Sequence, residues 1–117
     1  MERRQFHRIL FEADAQLIQG QSKWPATLVD LSLKGALLEL RMSDALDAGQ
    51  PLELNILLQG SEVQINMQGT ISHKEPHKVG FHCSDIDIDS ATELRRVMEL
   101  NLADEDLLQR DIHALVD

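Results

Sequence analysis

Residues 63–71 alternate strictly. Val63, Ile65, Met67, Gly69 and Ile71 are apolar or small, and Gln64, Asn66, Gln68 and Thr70 between them are polar. A period of two over this length means a half-buried β-strand, because successive side chains of an extended chain point to opposite faces. The pattern recurs in Leu52, Leu54, Ile56 and Leu58 against Glu53, Asn55 and Gln59. It recurs again in Phe11, Ala13, Ala15 and Leu17 against Glu12, Asp14 and Gln16. Further strands are expected at about 24–30, 35–41 and 78–84, and Gln59-Gly60-Ser61 reads as a hairpin turn. Six strands at short spacing, with few helices between them, imply an antiparallel barrel or sandwich.

The period changes near residue 90. Leu94, Val97, Met98 and Leu102 recur at helical spacing. Ser90 with Glu93 three residues on forms a capping box, which places the helix start at Ser90. A second helix is expected from about 104 to 115, with Leu108, Ile112 and Leu115 on one face and acids in its first turn. Residues 42–50 read as a loop or a single helical turn. The chain of 117 residues fits one domain. It divides into an Arg-rich arm (1–8), a β-barrel (9–88) and C-terminal helices (89–117), and its hydrophobic fraction of 43% suffices for a core.

Charge narrows the function. The formal net charge is -9, with 11 basic against 20 acidic side chains. Binding to DNA or RNA polymers needs a broad positive surface that displaces counterions, so it is disfavoured. Binding to anionic membranes is disfavoured for the same reason. The exception is residues 1–8, with three Arg and one Glu. Such a patch can hold a small anion but cannot track a polymer. No apolar run approaches the roughly 20 residues of a membrane span, and no apolar segment follows the first arginines as in a secretory signal. The expected compartment is the cytoplasm.

Catalytic and metal readings are weak. Cys83, the single cysteine, shares strand parity with Val79 and Phe81 and reads as a core thiol rather than a nucleophile. His73, His77 and His82 match no helical zinc spacing, so no metal site is expected. Asp85, Asp87 and Asp89 imitate the start of a calcium loop. That loop would need glycine at position 90 and glutamate at position 96, where Ser90 and Arg96 stand. They read instead as a strand end leading into a helix cap. No nucleophile, base and orienter can be assembled, so an enzyme is not expected.

Two signals remain, each ordinary alone. The first is the arginine group Arg3, Arg4 and Arg8, which by itself reads as a solvated basic arm. The second is Asp30-Leu31-Ser32-Leu33-Lys34-Gly35 between two strands, which by itself reads as a polar turn. There Gly35 would supply a backbone conformation that other residues resist. Together, Arg4-x-x-x-Arg8 followed by Asp30-x-Ser32-x-x-Gly35 resembles the PilZ domain family. Arg3-Arg4-x-Phe6-x-Arg8 leads into the first strand. Gly80-Phe81 falls in the last, and Asp85-Ile86-Asp87 leads to a helix carrying Leu94-Arg95-Arg96. The resemblance covers essentially the whole chain and is to stand-alone members.

The resemblance implies a six-stranded antiparallel PilZ-type β-barrel with C-terminal α-helices. It implies a receptor that binds cyclic di-GMP without turning it over, needs no cofactor, and passes the signal to a protein partner. The implied ligand-binding residues are Arg3, Arg4, Arg8, Asp30, Ser32 and Gly35, with His73 a possible addition from the strand before the last. Arginine can fork two donors onto guanine O6 and N7 or onto phosphate. Aspartate suits the N1–H and N2–H donors of guanine. Ser32 can donate or accept at short reach, and Gly35 keeps the turn free of a Cβ clash. An arginine at the place of Arg3 tends, in the family, to accompany two stacked ligand molecules, so two per chain are expected. The alternative is a nucleotide-independent interaction module in pilus or motility assembly.

Overall fold

Strand β1 (Ile9–Gln19) turns back into β2 (Ser22–Leu31), and β3 (Gly35–Glu39) follows after a short turn. A 3-10 turn at Ser43–Ala45 leads to β4 (Leu52–Leu57), β5 (Gln64–Glu75) and β6 (Lys78–Ile86), and the helix α1 (Ile88–Asn101) closes the series. In this computed structural model, which describes residues 8–41, 43–58 and 62–101, the strands form a closed barrel in the order β1-β2-β3-β6-β5-β4. Every neighbouring pair is antiparallel. Of the two architectures that alternation allows, closure selects the barrel. Each strand has a neighbour on both sides, β1 pairing with β2 on one and β4 on the other. Arg3, Arg4, the Gln59–Ser61 turn and the expected second helix lie outside the described residues.

The inward parity is the expected one. Leu17, Leu54, Ile56, Ile65 and Met67 are fully buried, and Phe81 and Cys83 nearly so. Phe11, Trp24 and Ile71 pack partly buried against them. The interior is therefore filled with side chains, and any ligand must bind outside it. The β1–β2 hairpin turns on Gly20 and Gln21. Gly20 has φ 63°, and no other described residue has a positive φ. A positive φ at only the first loop residue fits a type II′ turn.

Parity is reset at bulges. Leu28 pairs with Leu38, and Asp30 with Leu37, so Val29 is an extra residue in β2. Leu28 and Leu31, three apart, both reach the core at 0% exposure. Asp30, which strict alternation would send inward with Leu28, faces out. On β5, Ile71 pairs with Phe81 and His73 with Gly80, leaving Ser72 as the extra residue. Bulges of this kind re-aim the side chains that follow them.

The helix corrects one expectation. It begins at Ile88 rather than Ser90. Asp87 is the cap, its Oδ2 accepting the Ser90 N–H at 2.9 Å. Ser90 is instead a buried tie to the barrel, its Oγ accepting the Asn66 N–H at 2.9 Å. Leu94, Val97 and Met98 bury the inner face of α1, which packs on β5.

Candidate ligand-binding site

The turn between β2 and β3 is held from within. The Ser32 N–H donates to the Gly35 carbonyl at 2.9 Å, and the Ser32 Oγ accepts the Gly35 N–H at 3.1 Å and the Lys34 N–H at 3.3 Å. Ser32 is 4% exposed, so its hydroxyl shapes the turn. The turn is also tied to β6, where the Cys83 N–H donates to the Lys34 carbonyl at 2.8 Å. Gly35 is required for room. A Cβ there would overlap the carbonyl oxygen of Phe81, whereas its φ is not positive. The reading of Gly35 as a backbone conformation closed to other residues is therefore corrected; a close strand approach excludes its side chain.

Arg8, at the entrance to β1, reaches across to this turn. Its Nη1 lies 2.6 Å from Asp30 Oδ1, with the two side chains 34% and 16% exposed. A hydrogen bond this short, between residues 22 apart in sequence, is charge-assisted on both sides. The end of one motif and the start of the other thus meet. Leu10, directly opposite Asp30 in the register, is 85% exposed on the same outer face.

His73 belongs to the same row. Asp30 pairs with Leu37, Leu37 with Gly80, and Gly80 with His73. Direct partners across antiparallel strands share a face, so Asp30 and His73 both stand on the outside. Three inter-strand steps separate them, about 14 Å along the curved sheet. His73 is exposed, with Nε2 3.2 Å from Glu75 Oε2. Both residues owe their direction to the bulge immediately before them. The sequence singled out the two ends of this row but not Leu37, which stands between them. Cross-strand register leaves no mark in a single sequence that could have revealed it.

The remaining chemistry is sparse. Cys83 is 4% exposed, and burial pushes its thiol above the ordinary value. That opposes the thiolate a nucleophile needs. Among the described residues, no three His, Cys, Asp or Glu side chains converge as a metal site would. A concavity of about 340 Å³ adjoins the turn, bounded by Leu33, Lys34, Ile86 and Leu94. Another, of about 560 Å³ near Thr27, Arg41 and His77, includes none of the motif residues. Among the described residues no helix is long and apolar enough to cross a membrane.

Comparison with known proteins agrees with this architecture. A family model described as PilZ domain matches residues 2–100. The PilZ domain of YcgR from Escherichia coli, solved with c-di-GMP, superposes with a TM-score of 0.67 at 16% identity, covering 99% of this chain and 98% of that one. The PilZ domain of CeSA from a cellulose-synthesizing bacterium gives 0.63 at 16% identity, over 78% of this chain and 93% of the other. The Bacillus subtilis inhibitor of motility, MotI/DgrA, gives 0.61 at 20% identity; 99% of this chain matches 53% of that protein.

Proposed function

The chain belongs to the PilZ domain family, and from that membership we propose that it is a cyclic di-GMP receptor that acts through a protein partner. The observation that carries the reading is the 2.6 Å contact of Arg8 with Asp30. It joins Arg4-x-x-x-Arg8 to Asp30-x-Ser32-x-x-Gly35 on the outer face of a barrel whose interior is full. A guanidinium has five N–H donors in a fixed fork. With one donor on Asp30, the rest remain for guanine O6 and N7 or for phosphate. Arg8 engages Asp30 Oδ1, so Oδ2 is the atom offered to the guanine N1–H and N2–H. Arg3 and Arg4 add cations from the arm, and His73 offers a flat face at the far end of the row. Two ligand molecules per chain fit that number of groups. The solved YcgR domain with c-di-GMP supports the ligand. The likeness to an inhibitor of motility supports the protein partner. The reaction is binding alone, and the nucleotide is released unchanged.

Calorimetric titration with cyclic di-GMP tests this. Wild type is expected to bind. Arg8→Ala is expected to lose about 2–5 kcal/mol, the usual cost of removing one partner from a charged contact, here one that the bound ligand would bury. A wild-type protein with no heat of binding would overturn the receptor reading and leave the nucleotide-independent interaction module.

A further inference from the structure

Between Asp30 and His73 the outer face is built from Leu37 and Ser72, with Gly80 beneath. Leu37 is half-buried on this face. Gly80, its partner in the register, is buried. The Ser72 Oγ would lie 2.8 Å from a Cβ on Gly80 and the His73 Cβ 3.2 Å from it, so these two side chains cover the glycine. The strip thus runs from a charged end at Arg8 and Asp30, through an apolar middle, to a hydroxyl and an imidazole. Two bulges, at Val29 and Ser72, create it by turning Asp30 and His73 outward onto one row. Without them, alternation would send both toward the core side.

We infer that Leu37 and Ser72 are ligand-contacting residues of the cyclic di-GMP site, Leu37 as an apolar floor under a purine or ribose and Ser72 as a hydroxyl beside it. The inference rests on the receptor reading and deepens it. A nucleotide held at Asp30 and extended toward His73 has to cross Leu37, because that residue stands next to Asp30 in the register. The purine face is apolar and the ribose edge polar, which is the order of groups along the strip. Single apolar side chains are common on barrel surfaces, so position alone is not a contact; the run of Leu37 and then Ser72, which covers Gly80, between two re-aimed polar groups is what distinguishes this one.

The test uses the full chain with leucine methyls isotopically labelled. With saturating cyclic di-GMP, intermolecular NOEs from ligand protons to the Leu37 methyls are expected. Leu37→Asn should weaken binding about tenfold, the effect of losing an apolar contact of this size. Ser72→Ala should weaken it about two- to tenfold, the range for one hydrogen bond. Arg8→Ala serves as the binding-deficient reference, and melting curves report whether each variant folds. Wild-type binding that Arg8→Ala weakens, with NOEs to Leu10 and none to Leu37, would overturn the inference and leave the receptor reading standing. Absence of wild-type binding would overturn both.

Discussion

Arg8 and Asp30 form an ion pair that is partly open to water, and such pairs add little to folding, about 0–1 kcal/mol. On the proposed receptor reading, the pair holds a guanidinium in place before a ligand arrives. Asp30→Ala should therefore leave the apo protein folded while weakening cyclic di-GMP binding. Because each residue orients the other, the Arg8→Ala and Asp30→Ala losses should not add. A double-mutant cycle by calorimetry is expected to give a coupling of about 0.5–3 kcal/mol. Gly35 behaves differently. A Cβ there meets the backbone of Phe81 rather than a movable side chain, so Gly35→Ala should destabilise the fold by about 1–3 kcal/mol in urea denaturation. Both motifs were legible in the sequence as residue types at fixed spacing. That Gly35 is needed for room was implied, but what it makes room for was not, since it answers to a strand that arrives 46 residues later (Phe81). The bulge at Val29 left a faint trace, two buried leucines three apart in one strand, which strict alternation forbids.

The helix shows what element-scale patterning resolves and what it misses. Helical spacing of Leu94, Val97 and Met98 marked α1 and its buried face. The choice of cap did not follow, because Asp87 and Ser90 are both good capping residues and only the chain path decides between them. Ser90 is drawn into the barrel by the Asn66 N–H, which leaves Asp87 as the cap. The Ser90 hydroxyl and then the Ser90 N–H hold the Asp87 carboxyl below its ordinary value. A carboxyl lowered on folding favours the folded state when ionised. Its contribution is present above the unfolded-state value, about 3.9, and is lost as pH falls through the lower folded-state value. Asp87→Ala should thus lower the melting temperature at neutral pH, and the gap to wild type should close in strong acid. Circular dichroism melts at the two pH values check this. A gap that persists unchanged in acid would mean that the carboxylate is not what caps the helix.

At the scale of the molecule, alternation specified six strands but not their order around the barrel. β1 meets β4 and β3 meets β6 through pairings between segments far apart in sequence. No local pattern encodes such pairings; they follow from which apolar faces can be buried together. That closure brings β5 and its His73 into line with Asp30, so the proposed ligand site depends on the whole fold. A ligand that binds only the folded state adds about 2.7 kcal/mol at 100 times its dissociation constant. At roughly 4–8 °C per kcal/mol for a domain near this size, the melting temperature should rise on the order of 10 °C with cyclic di-GMP. GTP and cyclic AMP at the same concentration should do much less; an equal rise with all three would reduce the effect to generic anion binding. The number of molecules bound turns on Arg3. Two stacked ligands carry twice the phosphate of one and expose more guanine face, while residues 9–117 hold a local excess of acid, 8 basic against 19 acidic side chains. The arm, with Arg3, Arg4 and Arg8, is the one of the chain's three segments with an excess of cations. A guanidinium stacked on a purine face is worth about 0.5–2 kcal/mol, enough to decide between one ligand and two. Two cyclic di-GMP molecules per chain are therefore expected, with a shift toward one in Arg3→Leu. Calorimetry on protein of independently measured active fraction reads this directly. A wild-type value near one would assign Arg3 no part in a second ligand, while the contact of Arg8 with Asp30 would still account for the first.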